Sequence, residues 1–527
     1  MEGAHSPGSI RLAELMAALS LATDLGLGQP LQHELGVCLA ALELADRLGC
    51  SAEERADVYY VALVAHVGCT GAAGFFAEWA GGDDIHFQRG AQLLGAMSEP
   101  SEDLRHFLRR FADDRPLPER VWLRGRMLAG GKARAEVMAA NLCEGATILA
   151  RRLGLSEQVE QALAQLTERW DGSGLPGKAA GEQISRPLRI VRVAQDFLAI
   201  AHAVDRQAAI DALTRRRGKG HDTAVVDAAL ADPAQLLAVA DVPDAWQRVI
   251  ESEPEPVARI DGAGLDRTAD AFGEFIDVKV AFLHGHSRRV AELAAMAAHA
   301  IGCSREEIAH VRMAGLLHDV GRVAVPNGIW EKPAALNAAE RERVRLHPYY
   351  TERVLEHARV LAALAPIAGA HHERLDGSGY HRGSKAAAIT LGARLLAVAD
   401  AYDAMTHERP HRAALAPQQA RAQLAEMVRC GAFEKRAVDA VLEAVGTLPV
   451  DVRQGYPAGL SEREVEVLRL VAQGRTSKEI ARALTITEKT AGHHIEHIYV
   501  KIGVSTRVGA ALFAMEHDLV EDRRARR

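Results

Sequence analysis

The sequence predicts a mainly α-helical protein, with two tandem all-helical domains followed by a small helix-turn-helix bundle. Three observations predict it. Alanine is abundant, aromatic residues make up 5%, and runs with strand-like alternation are few. The first half of the chain recurs in the second. The last stretch carries two short helical patterns joined by a tight turn.

At 527 residues the chain is too long for one hydrophobic core and suggests about three domains. An apolar fraction of 48% and a charged fraction of 25% are those of an ordinary globular protein. The net charge of -7 argues against a uniform coat of nucleic acid, so any DNA contact must come from one local surface. Cys38, Cys50, Cys69, Cys143, Cys303 and Cys430 are scattered without a C-x-x-C pair, which fits reduced thiols in a cytoplasmic setting. Residues 1–20 lack a secretory pattern, and no charge-free apolar run reaches the length of a membrane span. A cytoplasmic protein with no membrane partner is expected.

The duplication runs in two blocks. Leu48-Gly49-Cys50-Ser51 matches Ile301-Gly302-Cys303-Ser304, and at the same offset His33 falls on His286 and Val67-Gly68 on Val320-Gly321. Further on, Glu168-Arg169-Trp170-Asp171-Gly172-Ser173-Gly174 matches Glu373-Arg374-Leu375-Asp376-Gly377-Ser378-Gly379 at a different offset, followed by Ile184 with Ile389 and Val193-Ala194 with Val398-Ala399. The changed offset implies one region of different length between the blocks. The boundaries read as a first copy over 1–242, a Pro- and acid-rich linker over 243–268, a second copy over 269–448, a helix-turn-helix unit over 457–520 and a basic tail over 521–527.

The second copy concentrates metal-binding donors. Ala298–Leu317 is apolar at helical spacing, so His318-Asp319 should sit near the end of a buried helix. An aspartate there can bridge two ions through its two oxygens. His286, His318 and Asp400 would complete one ion's shell, and His347, His371 and His372 the other. Mixed N/O ligation suits iron or manganese, admits zinc, and disfavours calcium and magnesium. Two adjacent divalent ions point to hydrolysis of a phosphodiester. In the first copy the same positions hold Ala65-His66, Leu166-Thr167 and Gln195, so it keeps the turns and loses most ligands. A structural, dimerising or sensory role is expected for it, with His33 and His66 as residual histidines.

His286, His318-Asp319, His347, His371-His372-Glu373-Arg374-Leu375-Asp376-Gly377-Ser378-Gly379-Tyr380 and Asp400 together resemble the HD-GYP family of bacterial HD-superfamily phosphodiesterases, over about 180 residues. The resemblance implies an HD-type helical fold in both copies and hydrolysis of cyclic di-GMP to pGpG or GMP. It implies one metal held by His286, His318, Asp319 and Asp400, and another by Asp319, His347, His371 and His372. It also implies catalytic roles for Asp319 and Arg322, and a substrate site with Arg409, Arg412 and Tyr380. Three positions depart from the family. Gly-Tyr-Pro is here Gly379-Tyr380-His381, the lysine three residues after the dyad's aspartate is Arg322, and Phe282 stands where trinuclear members carry a glutamate. Two metals are therefore expected.

In the C-terminal unit Ser461 N-caps a first helix with acids in its opening turn. Ser477–Leu484 reads as a second helix, Thr485–Thr487 as a turn, Glu488–Ile502 as a third helix and 507–520 as a fourth, with an apolar stripe fit for a dimer seam or a core face. The local balance over 457–527 is 12 basic to 10 acidic residues, too mild to argue DNA binding alone. Leu460-Ser461-Glu462-Arg463-Glu464, Ser477-Lys478-Glu479-Ile480-Ala481, Thr487-Glu488-Lys489-Thr490-Ala491 and His494-Ile495 strongly resemble the LuxR-type helix-turn-helix. The resemblance places the third helix in the major groove with Lys489, Thr490, His493 and His494 as DNA contacts, and implies a homodimer on promoter DNA. Three readings follow: a cyclic-dinucleotide phosphodiesterase coupled to transcription, a regulator that senses the dinucleotide without turnover, and a phosphohydrolase of another nucleotide. Coupling is expected to run through the short connection at 449–457.

Overall fold

The computed structural model describes residues 10–96, 116–260, 262–447 and 455–520. Most of the 449–457 connection and the basic tail lie outside the described residues. The chain forms two compact units, Met1–Leu265 with Pro326–Gly328, and Asp266–Val325 with Ile329–Arg527. Among the described residues all regular structure is helical except two short strands, β1 (Ile10–Arg11) and β2 (Arg259–Ile260), which pair antiparallel. No single described helix is long and apolar enough to cross a membrane.

The first unit is built on α1 (Leu12–Leu27), α2 (His33–Arg47), α3 (Ala52–Val64), the long α4 (Leu117–Arg152) and α5 (Arg186–Ala203). The 243–268 stretch is not a linker. It forms α6 (Ala245–Glu251), whose Ala245, Val249 and Ile250 are buried, then β2 and the start of α7 (Gly262–Asp277). The Tyr59 hydroxyl donates to the Val249 carbonyl at 3.1 Å. Its prolines and acids suggested an open connection, but its few apolar residues fall on one face, and that face is enough to seat a short helix.

The second unit repeats the first element by element. α8 (His286–Ala300) matches α2 and α9 (Arg305–Leu317) matches α3. Ser51 and Ser304 each close a capping box, with Glu54 and Glu307 reaching back to the cap N–H. The helix expected over 298–317 is therefore two helices. Gly302 adopts φ +82° and Ser304 caps a new start, so apolar periodicity ran on through a break that backbone geometry imposes. α10 (His347–His357) and α11 (Leu391–Thr406) complete the core, α11 matching α5. Between the two blocks, the first unit has α4 where the second has shorter helices, which accounts for the changed offset.

Gly68 and Gly321 show why their positions coincide in the repeats. A Cβ on Gly321 would overlap the His347 carbonyl, and one on Gly68 would overlap the Leu142 carbonyl. In each copy the turn after the α3 or α9 helix runs against the backbone of a crossing helix.

The C-terminal bundle comprises α12 (Glu462–Ala472), α13 (Ser477–Leu484), α14 (Glu488–Ile502) and α15 (Arg507–Glu516). Ser461 and Thr476 close capping boxes with Glu464 and Glu479. Thr485, at φ +55°, ends α13 and turns the chain into α14, whose N-cap is Thr487. The fourth helix is shorter than the 507–520 expected, ending at Glu516, and Leu519 packs beyond it.

Candidate metal centre

His318 caps the C-terminal end of α9, so Asp319 leaves the helix at its buried end. The Thr351 hydroxyl donates to the His318 carbonyl at 2.7 Å and accepts the Gly321 N–H at 3.0 Å, which fixes the turn that carries the dyad. His286 opens α8, His347 opens α10, Asp400 lies within α11, and His371-His372 follow the short helix Ala365–Ala368. The seven expected ligands converge. Asp319 Oδ2 lies 3.1 Å from His318 Nε2 and 3.3 Å from His286 Nε2, while its Oδ1 lies 3.5 Å from His347 Nε2 and 3.6 Å from His371 Nε2. Asp400 approaches His286 Nε2 at 3.3 Å and His372 Nδ1 at 3.7 Å.

Hydrogen bonds set which nitrogen faces inward. The Nδ1 atoms of His318, His347 and His371 bond the carbonyls of Gly315, Val344 and Ala368, and His286 Nδ1 bonds Asp403 Oδ2 at 2.7 Å. Each Nδ1 therefore carries a hydrogen, so that in the neutral ring Nε2 is the nitrogen left to ligate. Asp403 was not anticipated from the sequence. It sits three residues after Asp400 on the same helix face and is itself held by Arg289 at 2.7 Å.

Electrostatics favour cations here. Burial pushes the Asp319 carboxyl up, but Arg322, His318 and the hydrogen bonds from His286 and His318 hold it well below the usual range. Asp400 behaves likewise through His286 and His372. Burial keeps His347 down at about 4 and holds His371 and His372 well below the usual histidine value, so all three imidazoles are neutral at neutral pH. Burial would lower His286 too, but the carboxylates of Asp319, Asp400 and Asp403, which accept from its ring, raise it to about 10. The Nε2 atoms of His286 and His318 and both oxygens of Asp319 are buried and face one another at ion-pair distance rather than in well-aligned hydrogen bonds. Buried nitrogen and oxygen donors converging in this way are what a metal-binding set requires. The residues fit the group.

Around the ligands, Arg322 Nε lies 2.7 Å from Asp319 Oδ2, and its guanidinium stacks over Trp330 at 5.0 Å. Arg409 stacks on Phe282 at 5.1 Å, and burial, with Arg322 nearby, lowers it to about 10. Tyr380 lies against His372, ring centroids 4.7 Å apart, under Arg345. Arg412 does not join them. Its guanidinium donates to the carbonyls of Ala404, Met405 and Ala413, capping the end of α11. The resemblance grouped it with Arg409, three residues earlier, but could not show that the helix end claims it.

In the first unit the matching place holds an ion pair. His66 Nδ1 lies 2.9 Å from Glu34 Oε1, and Gln195 approaches His66 at 3.5 Å. Burial lowers His66, but Glu34 raises it above the usual value. His33 is buried against His202. Among the described residues, the groups of His and Asp placed to share an ion all lie in the second unit.

In the C-terminal bundle, Lys489, Thr490 and His493 are exposed on α14, and His494 is half-buried. Nothing lies within 4 Å of where a Cβ on Gly492 would stand, so that face of the helix is open.

The family described as HD domain matches residues 136–225 and 271–434, and that described as bacterial regulatory proteins, luxR family, matches 458–514. A 3'3'-cGAMP-specific phosphodiesterase 3 of Vibrio cholerae is 32% identical over 448 residues, which cover 84% of this chain and 96% of the relative. The chain belongs to the HD-GYP family. This HD-GYP protein is also similar to the crystal structure of a cyclic GMP-AMP specific phosphodiesterase of V. cholerae, with a TM-score of 0.59 and 28% identity over 84% of this chain and 99% of that one. A cyclic di-GMP phosphodiesterase of Pseudomonas aeruginosa is 41% identical over 139 residues, covering 26% of this chain and 33% of the relative. The HD-domain match over 136–225 shows that part of the first half is HD-like as well.

Proposed function

We propose that this HD-GYP protein is a transcription regulator whose second repeat hydrolyses a cyclic dinucleotide. The observation that carries the reading is Asp319, whose two oxygens face separate sets of buried imidazoles. His286, His318, Asp319 and Asp400 would hold one divalent ion, and Asp319, His347, His371 and His372 a second, iron or manganese first and zinc as an alternative. When bound, such a pair supplies a hydroxide nucleophile at neutral pH and neutralises charge on the phosphoryl oxygens. Arg322 and Arg409 orient the phosphates, and Tyr380 lines the substrate side. Water adds across one phosphodiester of the ring and leaves a linear dinucleotide with a terminal phosphate.

For the substrate, the relative matched over 96% of its length supports 3'3'-cGAMP. The 41% identity with a cyclic di-GMP phosphodiesterase over 139 residues supports cyclic di-GMP as a second reading. Lys489, Thr490, His493 and His494 read promoter DNA as a homodimer in the cytoplasm, where the six free cysteines stay reduced. The first repeat is structural, dimerising or sensory. The test is anaerobic incubation of iron- or manganese-loaded protein with each dinucleotide, followed by chromatography, beside an Asp319→Ala protein. Linear product from the wild type alone is expected. Binding without product recasts the second repeat as a receptor, and neither binding nor product points to another nucleotide.

A further inference from the structure

The helix-turn-helix unit rests on the eight residues that lead into the metal centre. Arg288, on the first turn of α8, donates to the Met515 carbonyl at 2.9 Å and the Glu516 carbonyl at 3.4 Å, and pairs with Asp518 at 3.4 Å. Glu274 and Asp270, at 2.5 and 3.7 Å, hold the same guanidinium from α7. Four residues earlier His284 is buried, with the main-chain carbonyls of Val278 and Ala472 beside its ring. Gly474, just past α12, comes so close that a Cβ there would lie 3.4 Å from the Ala281 Cβ. Ala281, His284 and Arg288 therefore form one seat for the end of α12 and the end of α15.

The same segment serves the catalytic pocket from its other side. Phe282 lies under the Arg409 guanidinium, and His286 is one of the proposed metal ligands, 3.3 Å from Asp319. Ala281–Leu283 is a single 3-10 turn, and Gly285 at φ +74° aims the chain into α8. Within so short a turn, a displacement of Phe282 carries Ala281 with it. Neither α15 stripe is free: Val508, Leu512 and Met515 are buried, and so are Ala510 and Ala514.

We propose that the segment 281–288 is a coupling strap, and that a cyclic dinucleotide taking Arg409 weakens the seat of the helix-turn-helix unit. The inference rests on the cyclic-dinucleotide reading above and supplies a direct route for coupling in place of the 449–457 connection. A phosphate competes with the Phe282 face for the Arg409 guanidinium, because planar bidentate recognition reorients it. Phe282 is then released, the 281–283 turn shifts and the contacts to Gly474 and α15 loosen. Linkage makes the effect mutual, so an unseated helix-turn-helix strengthens dinucleotide binding by the same factor.

The 281–474 approach provides the probe, because its separation is near the Cβ–Cβ distance of a disulfide. Full-length Ala281→Cys/Gly474→Cys protein, loaded with manganese, is oxidised with diamide with and without a phosphorothioate cyclic dinucleotide, beside Ala281→Cys alone to account for the native cysteines. Equilibrium dialysis follows ligand binding in the same samples. The expected result is that bound dinucleotide slows formation of the 281–474 disulfide about fivefold or more. Asp518→Arg, which sets a cation against Arg288, should slow it without ligand and tighten dinucleotide binding by a similar factor. Binding with an unchanged cross-linking rate, or an Asp518→Arg protein with unchanged dinucleotide affinity, overturns the coupling strap alone. Failure of either dinucleotide to bind overturns the reading of the metal centre, and the strap with it.

Discussion

Asp403 accepts the Nδ1 hydrogen of His286 at 2.7 Å, and so turns the His286 Nε2 lone pair toward Asp319 and Asp400. Arg289 holds both Asp403 oxygens, at 2.7 and 3.1 Å, so the carboxylate cannot swing away. Asp403→Asn keeps the shape but weakens this preference. It is expected to lower metal affinity about 10–100-fold, read by titration with manganese, while helicity stays unchanged.

Metal binding should stabilise the second repeat, because an ion that binds only the folded ligand set shifts unfolding by mass action. At a manganese concentration about 100 times the dissociation constant, the gain is about 2.7 kcal/mol. A chelator removes it, visible as a lower melting temperature. Asp319→Ala should show no gain at any manganese concentration, and no turnover.

Arg409 and Arg412 separate in the structure, and their substitutions should separate too. Arg409→Ala is expected to raise KM about tenfold or more through loss of charged hydrogen bonds to phosphate. Arg412→Ala should leave KM alone and cost about 1 kcal/mol or more of stability, since the Ala404 and Met405 carbonyls lose their donor. Steady-state kinetics and urea unfolding distinguish the two.

Glu464 gives the C-terminal bundle an acid-sensitive joint. The hydrogen bond it accepts from Lys501, with those from Ser461, holds the carboxyl down at about 2, against an ordinary 4.5. A depressed carboxyl stabilises the fold fully above the unfolded value and loses that contribution as pH falls through the folded one. Protection of α12 amides from exchange should therefore decline between pH 4.5 and about 2. Glu464→Gln should flatten that decline.

On the DNA side, Lys489 is exposed at the start of α14 and suits a phosphate contact. Lys489→Ala is expected to weaken binding evenly across sequences and to reduce the salt slope by about 1. His493→Ala should instead change the preferred sequence, as a footprint would record.

The candidate ligand set was legible because metal chemistry restricts residue types, and the sequence shows them directly: seven His and Asp donors, of which the matching positions of the first copy keep only His33 for His286. The helices of the C-terminal bundle were legible for a related reason, since a cap such as Ser461 announces its own start. Asp403, Thr351 and Trp330 were not. They act by touching a ligand or Arg322 from a distant part of the chain, and no local pattern marks a residue for that. Gly302 was passed over because apolar spacing continues across it, and Arg412 was misplaced because proximity in sequence does not say which carbonyls a guanidinium will meet.

The His66–Glu34 pair in the first repeat has a wider consequence. Where the second repeat converges seven His and Asp donors on one place, the first has a carboxylate and an imidazole paired within the chain. Its shape is therefore indifferent to metal supply. A cation held by the second repeat would stiffen that half alone, so that its supply would register as a difference between two copies of one fold.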